Sequence, residues 1–268
     1  MDLTQAYANA DFIPDAEGYI ERWETEAHAF REREATLGRA RLNHPYGAGE
    51  RQKLDFFHPG GLPEGLVVFV HGGYWLRFDR GYWSHFAAGA LAQGWAVAMP
   101  SYTLAPEARI SEITIEIARA VEAAAALVRG PIVLTGHSAG GHLVARMGCL
   151  DVAMADDVRG RLRHILPISP VSDLRPLIQT AMNTGLRLDD DEATSESPAL
   201  RPKPEVPVTV WVGAEERPVF LDQARWLSEA WAAPLRIAPG RHHFDVIDDL
   251  ETPESPLLTA LLGDRLPA

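Results

Sequence analysis

Ser138 lies at the centre of the segment "GHSAG", residues 136–140, which fits the pattern G-x-S-x-G. An apolar run, "PIVLT", leads into this segment, and a helix-like run, "GHLVARMGCL", follows it. A corner between a strand and a helix needs small flanking residues, and it raises the serine hydroxyl to the helix N-terminus, where peptide dipoles favour developing negative charge. The five residues alone also occur in ordinary turns, but in this setting they predict that Ser138 is a catalytic nucleophile.

A nucleophilic serine needs backbone N–H groups that stabilise the oxyanion of the tetrahedral intermediate. In sites of this kind one donor is the residue after the nucleophile, here Ala139, and another belongs to a loop after an earlier strand. The segment "HGGYW", residues 71–75, follows the apolar run "LVVFV", and its glycines allow the backbone to turn N–H groups inward. We therefore predict an oxyanion hole formed by Gly73, Tyr74 and Ala139, with Gly72 as a further candidate.

The general base is expected to be a histidine that follows both the nucleophile and the acid along the chain. Of the ten histidines, only His242 and His243 lie in the last fifth of the sequence, where they follow the predicted strand "PLRIAPG". His71 and His137 lie inside the two motifs above and are expected to orient backbone there, and His142 is expected to pack within a helix. The residues alone do not separate His242 from His243.

A carboxylate is expected to hold the histidine in its tautomer and to stabilise the imidazolium. It should follow the preceding strand, "PVTVWVGAEE", where Glu215 and Glu216 are adjacent. Asp222, within the following predicted helix, is less well placed. Adjacent acidic residues are also common on solvated loops, so the residues alone leave the choice of acid open.

These candidate residues need strands and helices that position them. Continuous apolar runs bounded by glycine or proline are typical of strands that are buried on both faces. Such runs are "GLVVFVHGG", "GWAVAMPSY", "GPIVLTGHS", "RHILPISPV", "PVTVWVGAEE" and "PLRIAPG", and "QKLDFFHP" is a further predicted strand. Helices are predicted for residues 15–37, for "SEITIEIARAVEAAAALVRG" with its serine start, for "FLDQARWLSEAW" and for "SPLLTALLGDRL". The alternation predicts an α/β fold with a mostly parallel central sheet and helices on both faces.

The 268 residues are expected to form a single domain, 1–268, because no change in composition marks a boundary. Residues 172–205 interrupt the alternation with prolines, acidic residues and little periodicity, which is typical of a cap insertion over one end of the sheet. Residues 1–40 are interpreted as an N-terminal helical segment and a candidate lid.

The bulk composition argues against several classes of partner. The net charge of −12 disfavours capture of nucleic acid or of an anionic membrane, since both need a basic surface. Cys149 is the only cysteine, so no internal disulfide can form, and the first residues lack the pattern of a signal peptide. We expect a cytoplasmic protein with a small-molecule substrate, and the sequence leaves a homodimer open. Ligand spacing such as H-x-x-x-H is absent, so no metal or organic cofactor is expected.

Four segments resemble those of kynurenine formamidases (arylformamidases) of the α/β-hydrolase fold: "HGGYW", "GHSAGGHL", "SYTLAPEARISEI" and "HFDVIDDL". The resemblance spans roughly residues 50–250, and bacterial esterases with the same motifs are equally similar. It implies that "HFD" carries the catalytic histidine at His243. It also implies an acid three residues after the strand-ending Gly213 and before "RPVF", which is Glu216. The family usually has aspartate there, so glutamate is a departure that one extra methylene in the loop can accommodate.

The resemblance implies a serine hydrolase that cleaves small acyl groups, formyl or acetyl, from amides or esters through a Ser138–His243–Glu216 triad. A general short-chain carboxylesterase or thioesterase is the alternative, and an inactive binding protein with the same shell is a third possibility. Aromatic residues beside the oxyanion loop predict a small acyl pocket with an aromatic leaving-group side. Trp75 and Tyr102 are the predicted substrate-binding residues, although aromatic side chains next to a sheet also serve as core.

Overall fold

One sheet of eight strands runs through the computed structural model, which describes residues 2–263. The strands are β1 (Ala40–Pro45), β2 (Lys53–Phe57), β3 (Leu66–Val70), β4 (Ala96–Pro100), β5 (Ile132–His137), β6 (Leu162–Ile168), β7 (Val210–Gly213) and β8 (Leu235–Ala238). Their order across the sheet is β1-β2-β4-β3-β5-β6-β7-β8. The pairs β1–β2 and β2–β4 are antiparallel and the remaining pairs are parallel. The carboxyl ends of β3 and of β5 to β8 therefore meet at one edge, with β5 between β3 and β6.

Helices cover both faces of this sheet. The α-helices are α1 (Leu3–Ala6), α2 (Ala16–Thr36), α3 (Ala88–Ala92), α4 (Ile110–Ala125), α5 (Ala139–Gly148), α6 (Asp156–Arg159), α7 (Asn183–Leu186), α8 (Asp190–Ser195), α9 (Pro218–Trp231) and α10 (Pro256–Leu262). Short 3₁₀ turns lie at Ala10–Phe12, Arg80–Tyr82, Ser84–Ala87, Arg175–Gln179, Pro198–Leu200 and Asp248–Glu251. Helices α4, α5 and α9 pack on one face and α2, α3 and α10 on the other.

Strand β3 shows why the central strands are apolar throughout. Val68 and Val70 belong to the core under α4 and α5, whereas Val67 and Phe69 belong to the core under α2 and α10. Successive side chains point to opposite faces, so a strand that is covered on both sides has no solvent-facing position for a polar residue. The predicted α/β fold, with its mostly parallel sheet, is confirmed.

Two details differ from the predictions. Strand β1 was not predicted, because its side chains alternate between half-buried and exposed and it forms the edge of the sheet rather than its apolar centre. Helix α4 begins at Ile110 and not at its serine, because Ser111 uses its hydroxyl to donate to Glu192 at 2.7 Å. The predicted terminal helix forms as α10, while residues 264–266 of that prediction lie outside the described part of the chain.

The segment 172–205 consists of short helical turns that are fixed onto α4 and α5. Glu192 is buried and lies 2.7 Å from Arg109, which precedes α4. Glu196 is also buried and lies 3.2 Å from Arg146 of α5. Buried carboxylates are stable only when they are paired and hydrogen-bonded, so these contacts hold the segment in one place over the sheet edge.

Candidate active site

Ser138 occupies the corner between β5 and α5 with φ 57° and ψ −115°. Left-handed backbone at a residue other than glycine costs about 1–3 kcal/mol and persists only where the surroundings enforce it. Two contacts enforce it here. The Ser138 N–H donates to the carbonyl of Ile168 in β6 at 2.9 Å, and Gly140 lies so close to β3 that a Cβ there would be 1.9 Å from the Val70 oxygen.

His243 and Glu216 are joined by a hydrogen bond of 2.6 Å between Nδ1 and Oε2. Both side chains are buried, with 3% and 6% of the residue exposed. The other carboxylate oxygen of Glu216 accepts from the Gly213 N–H at 2.9 Å and from the Ser169 hydroxyl. The carboxylate is therefore fixed at the ends of β6 and β7, and it fixes the orientation of the imidazole.

The other candidates for acid and base lie in different surroundings. Glu215 is exposed, and its backbone N–H bonds to the carbonyl of Arg241. Asp222 pairs with Arg225 at 2.7 Å on the surface of α9. His242 faces Asp245 at 3.2 Å. The structure thus brings Glu216 together with His243 and leaves these three side chains outside that pair.

The loop of His243 lies against the loop of Ser138. The ring of His137, the residue before the serine, is 4.6 Å from the His243 ring, and Phe220 of α9 packs on the same imidazole at 4.3 Å. Among the described residues, Ser138 Oγ and His243 Nε2 take part in no hydrogen bond, and both atoms reach the accessible surface. In unliganded enzymes the contact between nucleophile and base is often long and shortens when substrate binds.

The backbone N–H groups of the predicted donors Gly73, Tyr74 and Ala139 have no protein acceptor within the described residues, and those of Gly72 and Trp75 have none either. Left-handed backbone at Gly73 (φ 109°) and Tyr74 (φ 54°) turns the loop after β3. The loop passes so close to the nucleophile that a Cβ at Gly72 would lie 3.2 Å from Cβ of Ser138. Unpaired N–H groups beside a serine are the arrangement that an oxyanion requires.

Two histidines beside the serine are held in the neutral form. Burial lowers the pKa of His71 to about 4, and burial together with the charge of His243 lowers the pKa of His137 well below its usual value. His71 is fixed by Gly72, whose carbonyl lies 2.7 Å from Nδ1. Neither ring therefore places a positive charge beside the serine at neutral pH.

Trp75 and Tyr102, the predicted substrate-binding residues, are both fully buried. The Trp75 ring packs edge-on against His142 of α5 with 5.0 Å between centroids. The Tyr102 ring stacks on His71 at 4.3 Å, and its hydroxyl donates to the His71 carbonyl at 3.1 Å. In this structure both rings support the loop at residues 71–75 from within the core.

The first residues of the chain form a strap, residues 2–13, that is tied to the oxyanion loop. The Tyr74 hydroxyl donates to the carbonyl of Tyr7 at 2.5 Å and accepts from Nδ2 of Asn9 at 3.2 Å. The Tyr7 hydroxyl in turn accepts from Gln223 of α9 at 2.8 Å. The strap therefore links the loop that follows β3 to the helix that follows Glu216.

Sequence reasoning missed Ser169, Tyr7 and Asn9. Ser169 has left-handed backbone (φ 47°) directly after β6, and nothing in "PISPVSD" distinguishes it from an ordinary turn serine. Tyr7 and Asn9 contact a loop more than sixty positions away along the chain, and no local sequence pattern predicts such a contact. The spacing of Gly213 and Glu216 was the usable signal, since the Gly213 N–H holds the carboxylate.

Residues 67–201, which contain the loop at residues 71–75 and the serine corner, match a family described as having the alpha/beta hydrolase fold. The chain belongs to this family. The match includes β3 to β6 and the cap segment up to Arg201, and the eight-stranded sheet extends the same architecture on either side. The protein is accordingly an α/β hydrolase.

Curated relatives of this hydrolase include two fish enzymes. The kynurenine formamidase of Salmo salar is 28% identical over 236 residues, covering 82% of this chain and 80% of the relative. The kynurenine formamidase of Danio rerio is 28% identical over 247 residues, covering 86% and 83%. The resemblance to kynurenine formamidases inferred from the motifs is therefore confirmed.

Solved structures extend the comparison. A candidate thioesterase of Silicibacter sp. TM1040 is 55% identical, with a TM-score of 0.95, and the alignment covers 98% of this chain and 100% of that one. Esterase B of Lactobacillus rhamnosis is 15% identical with a TM-score of 0.64, covering 92% and 93%, and shares the fold. Between residues 2 and 263, no helix of the α/β hydrolase has both the length and the apolar character needed to cross a bilayer.

Proposed function

We propose that the protein is a serine hydrolase that removes small acyl groups, formyl or acetyl, from amides and esters, in the manner of a kynurenine formamidase. The observation that carries the proposal is the 2.6 Å hydrogen bond between Glu216 and His243 beside the strained corner of Ser138. A buried carboxylate, an imidazole and a serine in this chain order form the set of groups that acyl transfer uses.

In the first half of the proposed reaction, His243 Nε2 accepts the proton of the Ser138 hydroxyl while Oγ forms a bond to the substrate carbonyl carbon. The carbonyl oxygen becomes an oxyanion and receives hydrogen bonds from the free N–H groups of Gly73, Tyr74 and Ala139. The intermediate then collapses, the bond to the leaving nitrogen or oxygen breaks, and His243 donates its proton to that atom.

In the second half, His243 takes a proton from water while the water oxygen attacks the acyl-serine carbonyl. Collapse of the second intermediate breaks the bond to Oγ, returns the proton to Ser138 and releases the acid, which is formate when the acyl group is formyl. These steps use only side chains and backbone groups of the chain.

The proposed role of Glu216 is to orient the imidazole and stabilise its charged form. Its hydrogen bonds from Gly213 and Ser169 fix the position of the carboxylate, and its bond to Nδ1 leaves Nε2 free to act as base. The glutamate in place of the family's aspartate is accommodated, because the extra methylene lies within the loop between β7 and α9.

The strap, residues 2–13, and the segment 172–205 are proposed to frame the substrate site as lid and cap. The strap contacts both the segment 172–205 and the loop that follows β3. The Thr4 hydroxyl accepts from the N–H of Ala181 at 3.0 Å, and the Tyr7 carbonyl binds the Tyr74 hydroxyl. A small acyl pocket fits this arrangement, because the loop of Gly72 closes directly on the serine.

A thioesterase is the second candidate, favoured by the 55% identity to the candidate thioesterase of Silicibacter sp. TM1040 over nearly the whole chain. The same triad and oxyanion donors would cleave an acyl–sulfur bond, with the thiolate leaving in place of the amine. The two proposals therefore differ in the leaving group and not in the machinery.

The test is a parallel assay of N-formyl-L-kynurenine, p-nitrophenyl acetate and a short-chain acyl thioester, with Ser138→Ala as the blank. Turnover of the formamide comparable to that of the ester supports the formamidase proposal. Brisk thioester turnover with negligible formamide turnover moves the assignment to the thioesterase. No Ser138-dependent turnover of any of the three refutes both.

A further inference from the structure

Three side chains from distant parts of the chain converge away from the proposed triad: Glu26 of α2, His85 of the turn Ser84–Ala87, and Glu251 of the turn Asp248–Glu251. One nitrogen or oxygen atom from each lies within 4.8 Å of the others. Nε2 of His85 is 3.7 Å from Oε2 of Glu26, which is too long for a hydrogen bond. The three groups surround a common point without bonding to one another.

His85 is the unusual member of this cluster. Only 4% of the residue is exposed, and within the described residues neither ring nitrogen has a hydrogen-bond partner. Buried polar nitrogens normally have a partner, because an unsatisfied one loses its hydration without compensation. One nitrogen of this buried imidazole lies within 4.8 Å of a carboxylate oxygen of both Glu26 and Glu251, and it lacks a partner there.

Two cations lie near the cluster, Arg22 and Arg31, and Arg22 is shared between Glu26 and Asp248. Arg22 bonds to Asp248 at 3.4 Å, and its Nε lies 4.0 Å from Glu26. Arg31 bonds to the Gly81 carbonyl and the Ser84 hydroxyl. The carboxylates therefore face one another without a full counter-charge.

We propose that Glu26, His85 and Glu251 bind one divalent transition-metal ion, with Zn²⁺ as the best match. Three protein ligands that combine imidazole nitrogen with carboxylate oxygen suit Zn²⁺, which completes its tetrahedron with water. Mg²⁺ and Ca²⁺ prefer all-oxygen sets and are disfavoured by the histidine. The Glu26 side chain is 45% exposed, which leaves a path for the ion and its water.

The site is structural in this proposal. It joins α2 to the turn at residues 248–251, which closely follows the loop of His243. The ion would therefore link two segments that lie far apart along the chain. An ion that binds the folded chain and not the unfolded one stabilises the fold in proportion to the logarithm of its concentration over Kd. The proposed hydrolysis uses none of the three ligands, so the two proposals stand or fall separately.

The test uses the full chain after treatment with a chelator, titrated with ZnCl₂ alone by calorimetry and followed by thermal denaturation. The wild type should bind one equivalent through this site, and its Tm should rise with Zn²⁺. Loss of groups that merely orient a metal ligand weakens binding about 10–100-fold, so Glu26→Gln and Glu251→Gln should weaken it at least about tenfold. The exposed Glu254→Gln is the matched control and should bind like the wild type.

Without metal, both ligand variants should fold at least as well as the wild type, because each removes repulsion between two carboxylates. If the wild type shows no saturable binding of Zn²⁺, the proposal is overturned. Equal affinity in Glu251→Gln and the wild type also overturns it, as does Mg²⁺ binding as tight as that of Zn²⁺, because the imidazole would then not be a ligand.

Discussion

Nδ1 of His243 lies 2.6 Å from Oε2 of Glu216, and the two groups are shielded from water on nearly all sides. In such surroundings a charge-assisted hydrogen bond is short and strong, and it fixes the tautomer of the imidazole. Nε2 is the ring nitrogen that this bond leaves free, and the His137 ring, next to the serine corner, lies 4.6 Å from the His243 ring.

Replacing Ser138 with alanine should abolish turnover. Removing the nucleophile of a serine hydrolase lowers kcat by about a million-fold, and the remaining rate comes from the oxyanion donors and binding. The measurement is the steady-state rate on p-nitrophenyl acetate, with circular dichroism to verify the fold. A variant that keeps a tenth of the wild-type rate would remove Ser138 from the mechanism.

Glu216→Gln should lower kcat by about 10⁴-fold, because the neutral amide no longer selects the tautomer with a free Nε2. Glu216→Asp keeps the charge but shortens the reach, so an intermediate rate is expected. The exposed neighbour provides the control: Glu215→Gln should behave as the wild type. The reverse pattern, with Glu215→Gln inactive and Glu216→Gln active, would assign the acid to the other residue.

Tyr74→Phe should slow acyl transfer by releasing the oxyanion loop from the strap. The change removes the hydroxyl that binds the Tyr7 carbonyl and the Asn9 amide. We expect kcat to fall about fivefold with little change in KM, which corresponds to about 1 kcal/mol in the transition state. Tyr46→Phe is the control, because its hydroxyl also binds a backbone carbonyl, at Ser101, but outside the loop. Equal losses of kcat in both variants would mean a general loss of stability.

The acyl group should be short. With p-nitrophenol as a constant leaving group, kcat/KM should fall from acetate to butyrate to octanoate, because the loop at Gly72 closes directly on the serine. Initial rates at low substrate concentration give kcat/KM directly. A higher kcat/KM for octanoate than for acetate would show an open acyl channel and contradict the proposed pocket.

Stability should decline in mild acid because of buried neutral histidines. Burial lowers the pKa of His71 from 6.5 to about 4 and that of His142 to about 3. Between pH 6.5 and about 4 the unfolded chain takes up these protons and the folded chain does not. As the pH falls through this range, the equilibrium constant for folding therefore decreases about tenfold per pH unit for each histidine. Above pH 6.5 these two groups do not change it.

The measurement is urea denaturation at pH 7, 6 and 5. In His142→Gln the amide can replace the bond to the Glu196 carbonyl. This variant should have a smaller slope of the free energy of unfolding against pH, reduced by the contribution of one proton. The exposed His28→Gln should leave the slope as it is in the wild type. An unchanged slope in His142→Gln would mean that His142 does not resist protonation in the folded state.

Much of the framework could be predicted from local pattern. The apolar runs predicted the central strands β3 to β7, because strands covered on both faces exclude polar residues, and "GHSAG" between strand and helix marked the corner that the structure shows at Ser138. Strands β2 and β8 were also predicted, although β2 carries Lys53 and β8 is a largely exposed edge strand. The pairing within the site could not be derived that way. Glu215 and Glu216 are chemically alike, as are His242 and His243, and only burial separates the members of each pair. The resemblance to formamidases pointed to Glu216 and His243 by motif.

Contacts between distant segments could not be predicted from the local sequence. Arg109 precedes α4 and binds Glu192, Tyr74 is held by Tyr7, and Ser169 supports Glu216 from another strand. Each depends on the three-dimensional path of the chain. Local periodicity reports which face of an element is buried, and it carries no information about which side chain lies opposite.

The order of the site residues along the chain has a consequence for biosynthesis. Ser138 is translated first, Glu216 much later and His243 last, and β7 and β8 must add to the growing sheet before the proposed triad can assemble. Parallel strands pair only after long crossovers, so this step is late in folding. On the ribosome, the emerging polypeptide would thus carry Ser138 without its proposed base until β8 is in place. The proposed hydrolase activity would appear only once the chain is fully translated and folded.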